Sequence, residues 1–150
     1  MVLAVLAPGC SLPCGPSQAT VERVIDGDTI VLSSGEHVRY ALVDSPETTN
    51  GHADCFGVEA TRFNADRVAG KTVELIYDDK CVDRYGRLLA YVWVDGLHVN
   101  AELIRRGYAC VRYAAPDHDE HYAEFKALQA NAKAHHRGLW STCRPLPPAC

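Results

Sequence analysis

Short apolar, β-branched runs broken by tight turns, with helical spacing confined to three segments, predict an α+β fold, mainly β. The expected architecture is a small closed barrel of five strands with about three helices. One observation is the stretch "VIDGDTIVL", Val24 to Leu32, where Asp-Gly separates two strand-forming runs. Another is that the helical segments are short and interspersed, unlike the regular alternation of a parallel βαβ sheet. The third is size: 150 residues, 47% hydrophobic and 23% charged, make one globular domain with an ordinary core.

The elements follow in order. Residues 1–18 hold three prolines, two glycines and two cysteines and read as a leader outside the fold. "ATVERVI" and "TIVLS" are two strands around the Asp26-Gly27 turn, and "HVRYALV" (37–43) is a third. Pro46 forbids continued sheet, so 44–57 is a loop. "VEATRFNADRVAG" (58–70) has helical spacing, with Val58, Phe63 and Val68 inward and Gly70 as its stop. "KTVELIYDD" (71–79) alternates as a strand, 81–86 is a loop, and "RLLAYVWV" with "LHV" forms a hairpin around Asp95-Gly96. Asn100 is a candidate cap for a short helix, "AELIRRG". After extended "YACVRY", residues 117–138 read as a long helix, acidic at its start and basic at its end, as the helix dipole favours. Tyr122, Phe125 and Leu128 give it an apolar face, and Trp93 and Trp140 read as core residues. The domain therefore runs from 19 to 142, with 143–150 as a tail.

Net charge is −4 with histidines neutral, so a polyanion partner must be met by local basic clusters. Seven cysteines without paired CxxC knuckles favour an oxidising compartment over structural zinc. The start "MVLAVLAPGC" is apolar but short and lacks a basic flank. It also loosely matches a lipobox, which would make Cys10 a lipid anchor. Setting Cys10 aside leaves six cysteines, enough for three disulfides of unknown connectivity. No apolar run is long enough to span a membrane. An exported monomer (secreted, periplasmic or envelope-associated) is the expectation.

Asp28 is a charge where a strand should already have begun, and Asp44 ends the third strand. If their strands pair, the two carboxylates converge. With a turn carbonyl such as that of Thr29, they suit calcium, a hard cation that prefers oxygen. Glu47, behind Pro46, is placed to orient or deprotonate a water. Arg39, Arg84 and Arg87 supply planar, permanently charged forks for phosphate oxygens, and Tyr85 and Tyr113 offer surfaces for a base or sugar. Plainer readings stand beside these. Asp26-Gly27 can be only a turn, Arg39 an ion-pair partner of Asp44, Arg84 a solvated loop charge, and the tyrosines covers of the barrel rim. His118, His121, His135 and His136 read as scattered surface residues rather than a zinc site.

"IDGDT", "RYALVDSPE" and "DRYGRLLAYVWVDGLHVNAELIRRGYA" together resemble the staphylococcal nuclease (thermonuclease) family, in order and spacing, from about Thr20 to Trp140. The resemblance implies an OB-fold barrel and calcium-dependent hydrolysis of DNA and RNA, breaking the P–O5′ bond and leaving 3′-phosphates. By motif, Asp28 and Asp44 resemble the calcium carboxylates, Thr29 the carbonyl ligand and Asp26 the neighbouring acid behind them. Glu47 resembles the acid that orients or activates water, Arg39 and Arg87 the phosphate clamps, and Tyr85 and Tyr113 the nucleotide contacts. Three features depart from the family: the acidic net charge, the stretch "AAPDHDEHY" after Tyr113 where a further aromatic and basic residues are expected, and the cysteines. Cys55 and Cys81 each sit beside an active-site loop, and a disulfide between them would tie the loops together. Noncatalytic relatives that only bind nucleic acid or protein typically lose the acids or arginines, all of which are present here.

Overall fold

The computed structural model describes residues 14–49, 51–112 and 120–150. Cys10 and Tyr113 lie outside the described residues. A long bent strand β1 (Gln18–Asp26) turns into β2 (Thr29–Leu32), followed by β3 (His37–Tyr40) and the short β4 (Val43–Asp44). Helix α1 (Gly57–Val68), β5 (Thr72–Ile76), β6 (Leu88–Val94), β7 (Leu97–His98) and α2 (Val99–Arg105) come next. Then follow β8 (Cys110–Val111), α3 (Glu120–Ala134) and the single turn α4 (Leu139–Thr142).

The sheet runs β3-β2-β1-β5-β6-β7, and parallel pairing of β3 with β6 closes it into a five-stranded barrel. Two register shifts in β1 bend it, so one strand serves both β2 and β5. Val21, Ile30, Leu32, Val38, Tyr40, Val73, Leu75, Ala90 and Val92 fill the interior, and Phe125 of α3 joins the same core. A smaller cluster of Cys110, Ala132, Leu139, Trp140 and Cys143 lies under α4.

Several expectations change. The third strand does not run to 43: β3 ends at Tyr40, and Leu42 takes a positive φ of 59° before β4 begins. Val58 is not inward but 51% exposed; Ala60, Phe63, Asn64 and Val68 form the buried face of α1. Asn100 does not cap α2. It lies within the helix, fully buried, accepting from the Val92 N–H and donating to the carbonyls of Ala41 and Ala90, so it stitches α2 to the barrel wall. Gly138 does not stop α3, which ends at Ala134. A Cβ at Gly138 would meet the Gly107 carbonyl at 2.3 Å, and the two glycine backbones pack directly together.

The described segments at either end of the barrel, residues 14–18 and 143–150, are fastened to it. The expected Cys55–Cys81 disulfide is not formed: the bridges are Cys14–Cys81, Cys55–Cys143 and Cys110–Cys150. Antiparallel pairing of β1 with β5 brings the residues just before β1 to those just after β5, which gives Cys81 to Cys14. Cys55 precedes Phe56, which packs on the Leu139–Cys143 cluster, so its neighbour is Cys143. Leu75 N–H donates to Ser17 O and Tyr77 Oη to Pro16 O, so residues 14–18 belong to the barrel rather than to a leader. Residues 143–150 are likewise held by two of the bridges.

Candidate active site

The β1–β2 connection is a two-residue turn, Gly27-Asp28, between the paired residues Asp26 and Thr29. Gly27 does not adopt positive φ there. Its need is space, because a Cβ would meet Ser45 Cβ at 2.7 Å and Ala60 Cβ at 2.8 Å. Asp26 closes the turn by accepting the Asp28 N–H at 3.0 Å. From behind, Tyr40 Oη donates to Asn64 Oδ1 (2.7 Å), and Asn64 Nδ2 donates to the Asp26 carbonyl (2.9 Å), fastening the turn to α1.

Asp28 is only 3% exposed, and donors converge on it. Thr29 Oγ1 (2.9 Å) and Arg39 Nε (3.2 Å) meet Oδ1, and the Ser45 N–H meets Oδ2 at 2.6 Å. Pairing of Thr29 with Arg39 across β2 and β3 aims the arginine at the turn. Arg39, 5% exposed, also donates through Nη2 to Asp44 Oδ1 at 2.8 Å and through Nη1 to the carbonyls of Tyr40 and Val43. One guanidinium thus holds two carboxylates, one from the β1–β2 turn and one from β4. Burial, reinforced by Asp28, pushes the Asp26 carboxyl up to about 7. Burial also raises Asp44, with Arg39 opposing.

Glu47 projects from the loop after β4 and is exposed, its Oε2 accepting from Thr49 Oγ1 at 3.0 Å. The loop is braced by Asp54, which accepts the Glu47 N–H and donates its own N–H to the Glu47 carbonyl. Asp26, Asp28, Thr29, Arg39, Asp44, Glu47 and Arg87 line one cleft of about 320 Å³.

Arg87 comes from the other side, at the entry to β6. Asp83 Oδ1 accepts the N–H groups of Tyr85 and Arg87, and its Oδ2 takes Arg87 Nε at 2.7 Å. These bonds outweigh burial and hold Asp83 below its ordinary value. Arg84 stacks on the Tyr85 ring at 4.7 Å. It stands outside the acidic cleft, in an adjoining groove of about 330 Å³ that Arg39, Lys80, Tyr85, Arg87 and Arg112 also line. Three residues of this region escaped the sequence reading. Arg112 lines both the cleft and the groove, and its charge lowers Asp44. Ser45 supplies a backbone donor to Asp28, and Asp83 aims Arg87. Asp83 was legible as an acid four residues before Arg87; Ser45 depends on the meeting of the β1–β2 turn with the end of β4, and Arg112 on the β4–β8 pairing that carries its backbone to Leu42.

A family profile described as staphylococcal nuclease homologue matches residues 37–142. The chain belongs to the staphylococcal nuclease family. Among similar proteins, Endonuclease YncB of Bacillus subtilis is 39% identical over 129 residues, 81% of this chain and 61% of YncB. An uncharacterized endonuclease of Escherichia coli O157:H7 is 40% identical over 139 residues, 90% of this chain and 84% of that protein. Thermonuclease of Staphylococcus intermedius is 34% identical over 125 residues, 80% of this chain and 74% of the relative. The chain thus spans less than two thirds of YncB.

For this staphylococcal nuclease family member, the cleft's donor set suits a hard cation. Asp28 and Asp44 offer carboxylate oxygens a few ångströms apart through Arg39, and His37 is the sole imidazole among the cleft-lining residues. Among the described residues, no group of three or more His, Cys, Asp and Glu is arranged around a metal position.

Proposed function

We propose that this chain is a calcium-dependent endonuclease that hydrolyses phosphodiester bonds of DNA or RNA, with water breaking the P–O5′ bond and leaving 3′-phosphates. The observation that carries the reading is the meeting of Asp28, Asp44, Glu47, Arg39 and Arg87 in one cleft. The names of the relatives, endonuclease and thermonuclease, support it. Asp28 and Asp44, with the Thr29 carbonyl, would hold the calcium, which supplies positive charge beside the phosphate and acidifies water. Glu47 orients that water and takes its proton, one of its oxygens being fixed by Thr49. Arg39 keeps the two aspartates in register, and Asp26 holds the turn that presents Asp28. Arg39 and Arg87 stabilise charge on the pentacoordinate phosphorus. Arg84, Tyr85 and Tyr113 receive the neighbouring nucleotide. Three disulfides suit an exported protein working in an oxidising compartment.

Incubation with supercoiled plasmid and with single-stranded DNA, in calcium or in chelator, tests the reading. Cleavage in calcium that stops in chelator is expected. Binding of DNA without cleavage in either condition would replace the enzyme with a noncatalytic module.

A further inference from the structure

A second basic surface stands apart from the cleft. Glu102, Arg105, Arg106, Tyr108, Arg137 and Gly138 line a shallow groove of about 620 Å³ that shares no lining residue with the two sites above. Glu102 is 5% exposed, and its two oxygens are taken by Arg105 and Arg106. The Arg106 guanidinium also lies 5.7 Å from the Phe63 ring centre, and Arg67 lies 5.0 Å from the same ring. Phe63 in turn stacks on Tyr108, with centroids 4.6 Å apart and planes 19° apart. Among the described residues, Arg137 donates to neutral acceptors, the Arg105 carbonyl and Asn131 Oδ1.

Arg105 and Arg106 thus pair with Glu102, Arg137 lines the same groove, and Arg67 stands beside it on the Phe63 ring that Arg106 shares, on a chain whose net charge is −4. Glu102 accounts for Arg105 and Arg106. Among the described residues, Arg67 and Arg137 have no carboxylate partner, and Arg67 Nε is buried without an acceptor. Uncompensated like charges held close together repel, and an incoming anion removes that cost. Guanidinium groups beside a partly exposed tyrosine are the surface that a nucleic-acid strand uses, phosphate on the forks and base against the ring. Distance agrees. Gly57, at the start of α1, packs against the Glu47 carbonyl, and Arg67 lies ten residues further along the same helix. Ten residues span roughly 15 Å. That is about four steps of a nucleic-acid strand at about 3.4 Å each.

We propose that this groove binds the phosphate backbone of a polynucleotide beyond the cleavage site, as an extended substrate contact separate from the catalytic cleft. The proposal rests on the nuclease reading for the identity of the polyanion. Its test compares the wild type with the pairs Arg67→Gln/Arg137→Gln and Arg67→Lys/Arg137→Lys. Fluorescence anisotropy follows a labelled long single-stranded DNA in chelator across a salt series, and hydrolysis of a thymidine dinucleotide is followed in calcium. The glutamine pair weakens binding of the long strand several-fold. It also makes the slope of log K against log salt shallower by about 1.4, two charges at about 0.7 each for single strands. Dinucleotide turnover stays at the wild-type rate, and the lysine pair restores the slope. Unchanged binding and slope in the glutamine pair would overturn the proposal. So would failure of the lysine pair to restore the slope, or dinucleotide turnover falling together with binding. If the wild type binds DNA but cleaves neither substrate, the nuclease reading falls, while the slope comparison still decides the groove.

Discussion

Arg39 and Arg87 reach the same cleft from opposite walls, and their surroundings differ. Arg39 is buried in the barrel, bonded to Asp28, Asp44 and two backbone carbonyls, and its place is set by strand pairing. Arg87 leaves a surface loop, tied to a single carboxylate, Asp83, and flanked by Tyr85, which is 67% exposed. One arginine is part of the frame that spaces the aspartates. The other has a carboxylate partner in a surface loop that it can exchange for an incoming phosphate. The two walls therefore divide the work. Changes on the barrel side should cost stability and activity together, and changes on the loop side should cost activity alone.

The largest effect expected is from Arg87→Ala. Loss of a guanidinium that meets transition-state charge should slow plasmid cleavage by about 10³-fold or more. The melting temperature should stay within a few degrees, since the Asp83 pair and the contact with the exposed Tyr85 ring are lost while the Asp83 bonds to the loop backbone remain. Glu47→Gln comes next, with a fall in kcat of about 10²–10⁴ and an unchanged melting curve, because the side chain is exposed and the amide oxygen of glutamine can still accept from Thr49. Arg39→Ala sharpens the contrast from the barrel side. It leaves Asp28 buried without its cation, and chemical denaturation should report about 3–5 kcal/mol of lost stability along with lost activity. If Arg39→Ala melts like the wild type, the division between walls is wrong.

The smallest effect belongs to a region outside both walls. His98 stacks on Trp93 with centroids 4.5 Å apart, and burial, aided by His121, pushes its imidazole down to about 4. The unfolded chain takes up this proton near pH 6.5, but the folded chain does so only near 4. Stability from this group is therefore full above about pH 6.5 and is lost as pH falls to about 4. Because the ring is partly open to solvent, the loss is about 1 kcal/mol. Thermal melts of His98→Phe between pH 7 and 4 should be flatter than wild type by that amount, with cleavage at neutral pH unaffected.

Local signals carried much of this organisation. The Asp-Gly turn, the alternation of Val73 and Leu75, and the loop after Pro46 are set by neighbours in sequence, and the barrel and its turns follow them. Asp28 and Asp44 were legible as site candidates because each is a charge where an apolar strand begins or ends, and Glu47 because it is an acid in the loop stiffened by Pro46. Other features depend on pairings between distant segments. Gly27 lacks a side chain because Ser45 and Ala60 crowd it, and no local rule says so. Asn100 sat where a cap belongs, but the buried carbonyls of Ala41 and Ala90 claim its amide. The disulfide partners follow from the β1–β5 pairing and from the docking of Phe56 under α4, which spacing alone does not encode. Arg112 reaches the cleft only through the β4–β8 pairing.

Calcium titration by calorimetry, on the wild type and on Asp44→Asn, tests most directly whether acids from two strands share one cation. The wild type should take up calcium at a single saturable site, and the variant, with Asp28 and Arg39 still in place, should bind far more weakly. Equal calcium binding by both proteins, or none by the wild type, would contradict the account.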